Sequence, residues 1–277
     1  MRVLVYSRKV AEFGDGWVNA RQRFWTVSAL VCGCAVGSWS ALADDGFYVG
    51  AAAVASLYDA TYDKTVDNTG ATNASMLLAG QRVSARDSDD RVTTDLGLVA
   101  GYRGSVGVLF YSIEGDWTTH QGKLSSHLEG SGVTSGRNQV GENWPEDWSL
   151  AKDKSYGLTF RIGGRVPILN TRGYVLAGVR RIEADFRRSY TGCLMTSLCE
   201  PQEFETGVEF FDENFNAFST GAGIEQQFDR VTVRAELRYV IHGSSAQLAL
   251  FNDLGVRVPT SLEASEIGLG ASLLWAL

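Results

Sequence analysis

The stretch "VRAELRYVIH", Val233 to His242, places Val233, Ala235, Leu237, Tyr239 and Ile241 on one face of an extended chain and Arg234, Glu236 and Arg238 on the other. That period of two is the signature of a β-strand. In a soluble sheet the apolar face would meet a core and the charges would meet water. In a membrane barrel the apolar face meets lipid and the charges line a narrow lumen. This segment alone favours the soluble reading, because such sheets are commoner, so the rest of the chain has to decide.

Seven further segments of the 277-residue chain alternate in the same way: 46–59, 92–103, 108–118, 155–165, 173–182, 217–228 and 266–277. The one at 173–182 is apolar on both faces, which leaves its register open. The connections run long, short, long, short, long, short, long, and such sorting by end is expected of a transmembrane barrel with short periplasmic turns and long outer loops. Aromatic residues fall near segment ends on the apolar face. Tyr102, Phe228 and Trp275 stand at the turn ends, and Trp117, Tyr156, Phe218 and Tyr239 at the loop ends, as two girdles at the membrane interfaces would require. Glycine recurs on the charged face at 97, 101, 157, 163, 221, 223, 268 and 270, where a narrow interior needs small residues beside large ones.

The expected fold is therefore an all-β, eight-stranded antiparallel up-and-down transmembrane barrel, one domain over 44–277, with four long outer loops and three short turns. Its inward set is Asp95, Arg103, Glu114, Asp116, Arg161, Arg165, Glu225, Arg234, Glu236, Arg238 and Glu266. Five arginines against six carboxylates point to mutual pairing, and eight strands enclose only enough room for side chains. A plugged lumen is the expectation, and a narrow pore for small solutes or ions is the alternative.

Residues 1–43 read as a leader and signal peptide that is removed. Arg21 and Arg23 precede an apolar run, and Ala41-Leu42-Ala43 is a small-x-small cleavage pattern. The chain carries 25 basic and 32 acidic residues; without residues 1–43, which hold five and two of these, the remainder stands at 20 against 30. This acidic balance, with no basic stripe, argues against a nucleic-acid partner. Cys193 and Cys199 remain after export and are expected to form a disulfide. No cofactor or metal is expected.

The stretches "GFYVGAA" at 46–52, "SIEGDW" at 112–117, "GAGIEQQF" at 221–228 and "VRAELRY" at 233–239, with the alternating last segment, resemble the small eight-stranded outer-membrane barrels of Gram-negative bacteria. That family includes the membrane domain of outer-membrane protein A and the opacity-type, porin-like adhesins. The resemblance implies a monomer in the outer membrane, in contact with lipid and lipopolysaccharide and inserted by the barrel-assembly machinery. It also implies a structural or adhesive role carried by the loops, with a host or envelope ligand there. The chain departs from the family by ending Trp275-Ala276-Leu277 rather than in Phe or Trp.

His242-Gly243-Ser244 is similar to the His-x-Ser pair of outer-membrane lipid A deacylases. Ser245 stands where that family has Asn, and alternation turns His242 inward, so a non-enzymatic role is expected. His120 and His127 fall in an expected loop and are read as solvated. The loop 200–213, "EPQEFETGVEFFDE", sets six carboxylates around Phe204, Phe210 and Phe211, a candidate contact surface for a cationic partner or for divalent cations that bridge lipopolysaccharide.

Overall fold

The structure is a computed structural model, described over residues 4–6, 45–132, 139–166, 171–193 and 199–277. Eleven strands follow in chain order: β1 (Leu4–Tyr6), β2 (Gly46–Asp67), β3 (Arg82–Val106), β4 (Leu109–Gln121), β5 (Lys123–Leu128), β6 (Glu146–Val166), β7 (Thr171–Gly192), β8 (Glu205–Phe228), β9 (Val231–His242), β10 (Ser245–Phe251) and β11 (Val256–Ala276). Eight of them, β2, β3, β4, β6, β7, β8, β9 and β11, pair antiparallel in that order, and β11 pairs with both β9 and β2 to close the ring. Closure leaves this part of the wall without a free edge. Apart from Leu4–Tyr6, which pair with Leu248–Leu250 of β10, the expected leader lies outside the described residues.

Outward side chains divide the wall into two zones. On β2 they are Phe47, Val49, Ala51, Ala53, Ala55 and Leu57, followed by Asp59, Thr61, Asp63, Thr65 and Asp67. The same change occurs between Val92 and Asp90 on β3, Val179 and Arg181 on β7, Phe218 and Asn216 on β8, and Ile267 and Ser265 on β11. Register sets these transitions side by side on neighbouring strands: Leu57 lies opposite both Val92 and Ile267, Ile241 opposite Phe218, and Phe218 opposite Val179, with Ile241 two residues from Ile267 across β9 and β11. From Phe47 to Leu57 there are ten steps. At about 3.3 Å each and a tilt of about 40°, they rise about 25 Å, the height of the apolar band of a membrane barrel.

Above that level the inside inverts as well. Tyr58, Ala60, Tyr62, Leu124, Leu128, Trp148, Leu150, Ile182, Phe186, Phe215 and Leu262 form an apolar core within the wall, as in a soluble protein. Here each buried large side chain contributes on the order of 1.5–3 kcal/mol. The wall is also no longer a closed ladder at this height. β4 stops at Gly122, whose φ of +137° suits glycine and where a Cβ would stand 2.6 Å from the Thr93 methyl. β5 then pairs only with β6, and β10 only with β11 and β1. Two four-stranded sheets result, β10-β11-β2-β3 and β5-β6-β7-β8, facing each other across the core. Side chains close the two seams: the Trp148 Nε1 donates to Asp87 (2.6 Å), the Ser125 amide to Asp89 (2.9 Å), and Ser245 and Gln247 to Glu213 (2.5 and 2.7 Å).

The four long connections are present, but much of each is strand. The chain between Leu57 and Val92, for example, continues β2 and β3 for ten residues on each side before the turn at 68–81. The short connections at 107–108 and 229–230 close the opposite end with positive φ at Gly107 and Asp229. The third, at 167–170, lies outside the described residues.

Candidate functional site: the lumen and the protruding head

Within the membrane zone the lumen is filled by charged side chains on successive levels. Lowest, Glu225 holds Arg103 (3.0 Å) and Arg172 (3.5 Å). Above it, Glu114 accepts from Arg161 (2.8 Å), Arg234 (2.7 Å) and the Tyr48 hydroxyl (3.0 Å), while Glu236 accepts from Arg161 (3.1 Å), Arg238 (2.5 Å) and the Tyr174 hydroxyl (3.0 Å). Asp116 pairs with Arg180. Highest, Lys152 lies 2.5 Å from Glu266 and 3.6 Å from Asp95. Seven arginines and lysines thus meet six carboxylates. Arg161 and Arg234 each retain only 1% of their exposure, so each charge depends on its partner. Glycine makes the space: a Cβ at Gly101 would stand 2.6 Å from the Tyr48 hydroxyl, and one at Gly223 would collide with the Tyr174 hydroxyl.

Of the inward set expected from sequence, Asp95, Arg103, Glu114, Asp116, Arg161, Glu225, Arg234, Glu236, Arg238 and Glu266 lie in this network. Arg165 is exposed near the turn end of β6, opposite Arg172 in register. Sequence reading missed Arg172, Arg180 and Lys152, which lie on a strand of open register or beyond an expected strand end. It also missed Tyr48, Tyr58 and Tyr174, whose rings face inward. Tyr174 and Leu176 pack with Phe110 as an apolar patch in the lumen, which settles the register of β7. Of the aromatic girdles, Tyr102, Trp117, Tyr156, Phe218, Phe228 and Trp275 are exposed outward and Tyr239 is half-buried. Phe47 joins the lower girdle, edge-on to Tyr102 at 5.2 Å.

His120 is not a solvated loop residue. β4 runs on to Gln121, and alternation turns the imidazole inward, where Nδ1 lies 2.8 Å from Asp95 and Nε2 2.9 Å from the Ser155 hydroxyl. The outline is that of a serine–histidine–aspartate relay. Yet Ser155 has no exposed surface, Arg180 donates to its oxygen (3.2 Å), and Lys152 pairs with the same Asp95. The trio is therefore enclosed by its own charged neighbours. His242 is also buried, 3.8 Å from Glu266 and against Tyr58 and Phe215, while Ser244 is exposed. His127 is exposed and pairs with Asp147 at 2.7 Å.

The head carries a second polar group inside its core. Lys64 bonds Glu146 (2.5 Å), Glu146 accepts from Tyr62 (2.8 Å), and Arg188 donates to Tyr62 (3.0 Å) and bonds Glu209. Burial holds the Lys64 ammonium below the ordinary lysine range, against the pull of Glu146. At the crown, Cys193 and Cys199 are joined by a disulfide next to the 3-10 turn Pro201–Glu203.

No family model and no curated protein matches the chain. Among solved structures, the Ail attachment invasion locus protein of Yersinia pestis, in complex with the heparin analogue sucrose octasulfate, is 14% identical, with 82% of this chain and 99% of that chain covered and a TM-score of 0.25. The Pseudomonas putida toluene transporter TodX is 12% identical over 82% and 90% of the two chains, at 0.22, and a Pseudomonas aeruginosa FadL homologue 8% over 84% and 90%, at 0.25. Similarity at this level adds no argument to the chain's own geometry, which is that of an eight-stranded transmembrane β-barrel.

Proposed function

We propose that the chain is a sealed outer-membrane barrel that carries a rigid binding head above the outer leaflet. The observation that supports this reading is the common level at which inside and outside exchange polarity. Below it lies a lipid-facing band over a packed ionic lumen, and above it a two-sheet body with an apolar core of its own. A closed barrel with a lipid-facing belt belongs in the outer membrane of a Gram-negative cell. The lumen has the composition of a plug: Glu114 pairs with both Arg161 and Arg234 in its middle. The role is structural and adhesive rather than catalytic, with the hairpin tips as the working surface.

Planar-bilayer recording of the purified barrel tests the sealed lumen. No steady current is expected. Steady conductance that changes on Glu114→Gln would favour the pore instead. Deleting residues 200–204, at the crown of β7 and β8, is expected to lower attachment of expressing cells while heat-modifiable gel mobility persists; unchanged attachment would remove the adhesive role.

A further inference from the structure

Nearly all the exposed large apolar side chains of the described residues lie in the membrane band or at the periplasmic turns. Three do not: Phe204, Val208 and Phe210, at 36%, 45% and 72% exposure, stand on upper β8 and the approach to it, high on the head. Val208 and Phe210 are two apart, so they share the outward face of the sheet, and the Arg187 guanidinium lies 5.4 Å over the Phe210 ring from the neighbouring strand. Their inward counterpart Phe211 stacks on Phe186 of the core at 6.1 Å. The outward pair is therefore held on a rigid sheet and is not a misplaced piece of the core.

Charge decides what covers this patch. Residues 181–216 carry eight acidic and three basic side chains, and Asp185, Glu200, Glu205 and Asp212 ring the apolar spot as exposed carboxylates. Of the three cations, Arg188 is turned into the core onto Tyr62 and Glu209. Residues 59–91, 119–154 and 242–265, the other connections on this side, hold thirteen acidic and nine basic side chains, so the whole end is acidic. A sulfated or phosphorylated polyanion would be repelled.

Resting on the adhesive reading above, we propose that the outer face of upper β7 and β8 docks a cationic polypeptide segment that presents apolar side chains beside its lysines or arginines. Phe204, Val208 and Phe210 form the apolar anchor, and the surrounding carboxylates select the charge and speed the encounter. The disulfide between Cys193 and Cys199 braces the crown of this hairpin.

The test uses the full barrel in zwitterionic nanodiscs, with empty nanodiscs as reference. The probes are three synthetic peptides, of alternating Lys and Phe, alternating Lys and Ser, and alternating Glu and Phe, and also heparin. The Lys/Phe peptide is expected to bind best. V208S with F210S, both exposed and so harmless to the fold, should weaken it by about tenfold or more, and E205K with D212K should weaken it while lowering its salt dependence. Equal binding of the Glu/Phe peptide or heparin, or indifference to V208S with F210S, overturns the proposal. If cells lacking the crown still lose attachment in that event, the adhesive reading stands and only the partner's chemistry is wrong.

Discussion

An arginine walked up the outward face of β2 measures the depth of the membrane zone directly. Ala53 lies near the middle of the 47–57 run, Leu57 at its upper limit and Thr61 two outward positions above. With a band of about 25 Å, Ala53 stands about 10 Å from the upper interface and about 15 Å from the lower, where an arginine on a lipid-facing barrel position costs about 2–4 kcal/mol; at Leu57 the cost falls to about 0–1 kcal/mol. Thr61 faces water, so Thr61→Arg should change stability by less than about 0.5 kcal/mol. Reversible urea unfolding in lipid vesicles, followed by tryptophan fluorescence and gel mobility, reads all three. The expected order is Ala53→Arg far below Leu57→Arg, with Thr61→Arg at the level of the unmodified chain. A flat profile, or Thr61→Arg as costly as Ala53→Arg, would refute both the lipid-facing assignment and the level at which it stops.

Glu114→Gln leaves Arg161 and Arg234 each with one remaining carboxylate, Glu236 at 3.1 Å and Glu225 at 3.6 Å. The loss should therefore sit at the low end of the range for breaking a buried pair, about 3 kcal/mol, seen as a lower urea midpoint. Trp148→Ala, in the head core, should cost about 3–5 kcal/mol but spare the membrane zone, so limited proteolysis should cut the head while the remainder keeps its heat-modifiable mobility. Asp67 is held down to about 2 by the Thr69 hydroxyl and amide and by Arg82. Its depressed value means that its contribution to the 67–82 turn is full above about pH 4 and fades as pH falls through 2; the Asp67 carboxyl carbon shift should titrate there, and an ordinary midpoint near 3.9 would contradict the contacts.

The membrane half was legible because its rule is simple and repeated. Val233 to Tyr239 alternates strictly, and the other runs, apart from 173–182 with its two apolar faces, follow the same assignment of faces. The head was not legible, although it obeys a rule just as strict. On β2 the outward apolar positions are odd from Phe47 to Leu57, and beyond it the apolar residues Tyr58, Ala60, Tyr62 and Val66 are even, with Lys64 among them, so a search for one continuous greasy face ends at Leu57 and reads loop beyond it. The same shift hid Lys152 and His120, which lie where strands were expected to have ended. Arg165 is exposed at the turn end of β6, and alternation gives a direction but not the depth at which a side chain stands. The apolar patch at Val208 and Phe210 falls within the acidic aromatic stretch already visible at 200–213. Composition alone could not separate Phe210, which faces solvent, from Phe211, which faces the core.

The exchange of polarity at the level of Leu57 and Asp59 also fixes the vertical seating of the whole molecule. Sliding the barrel inward by two residues would carry Asp59, Asp90, Arg181 and Asn216 together into the acyl chains, and sliding it outward would bring Phe218, Val92 and Ile267 into water. Each displacement is opposed on many strands at once, so the barrel has a single stable immersion depth. The docking face therefore stands at a constant elevation over the leaflet, set by the wall itself rather than by any anchor or neighbour.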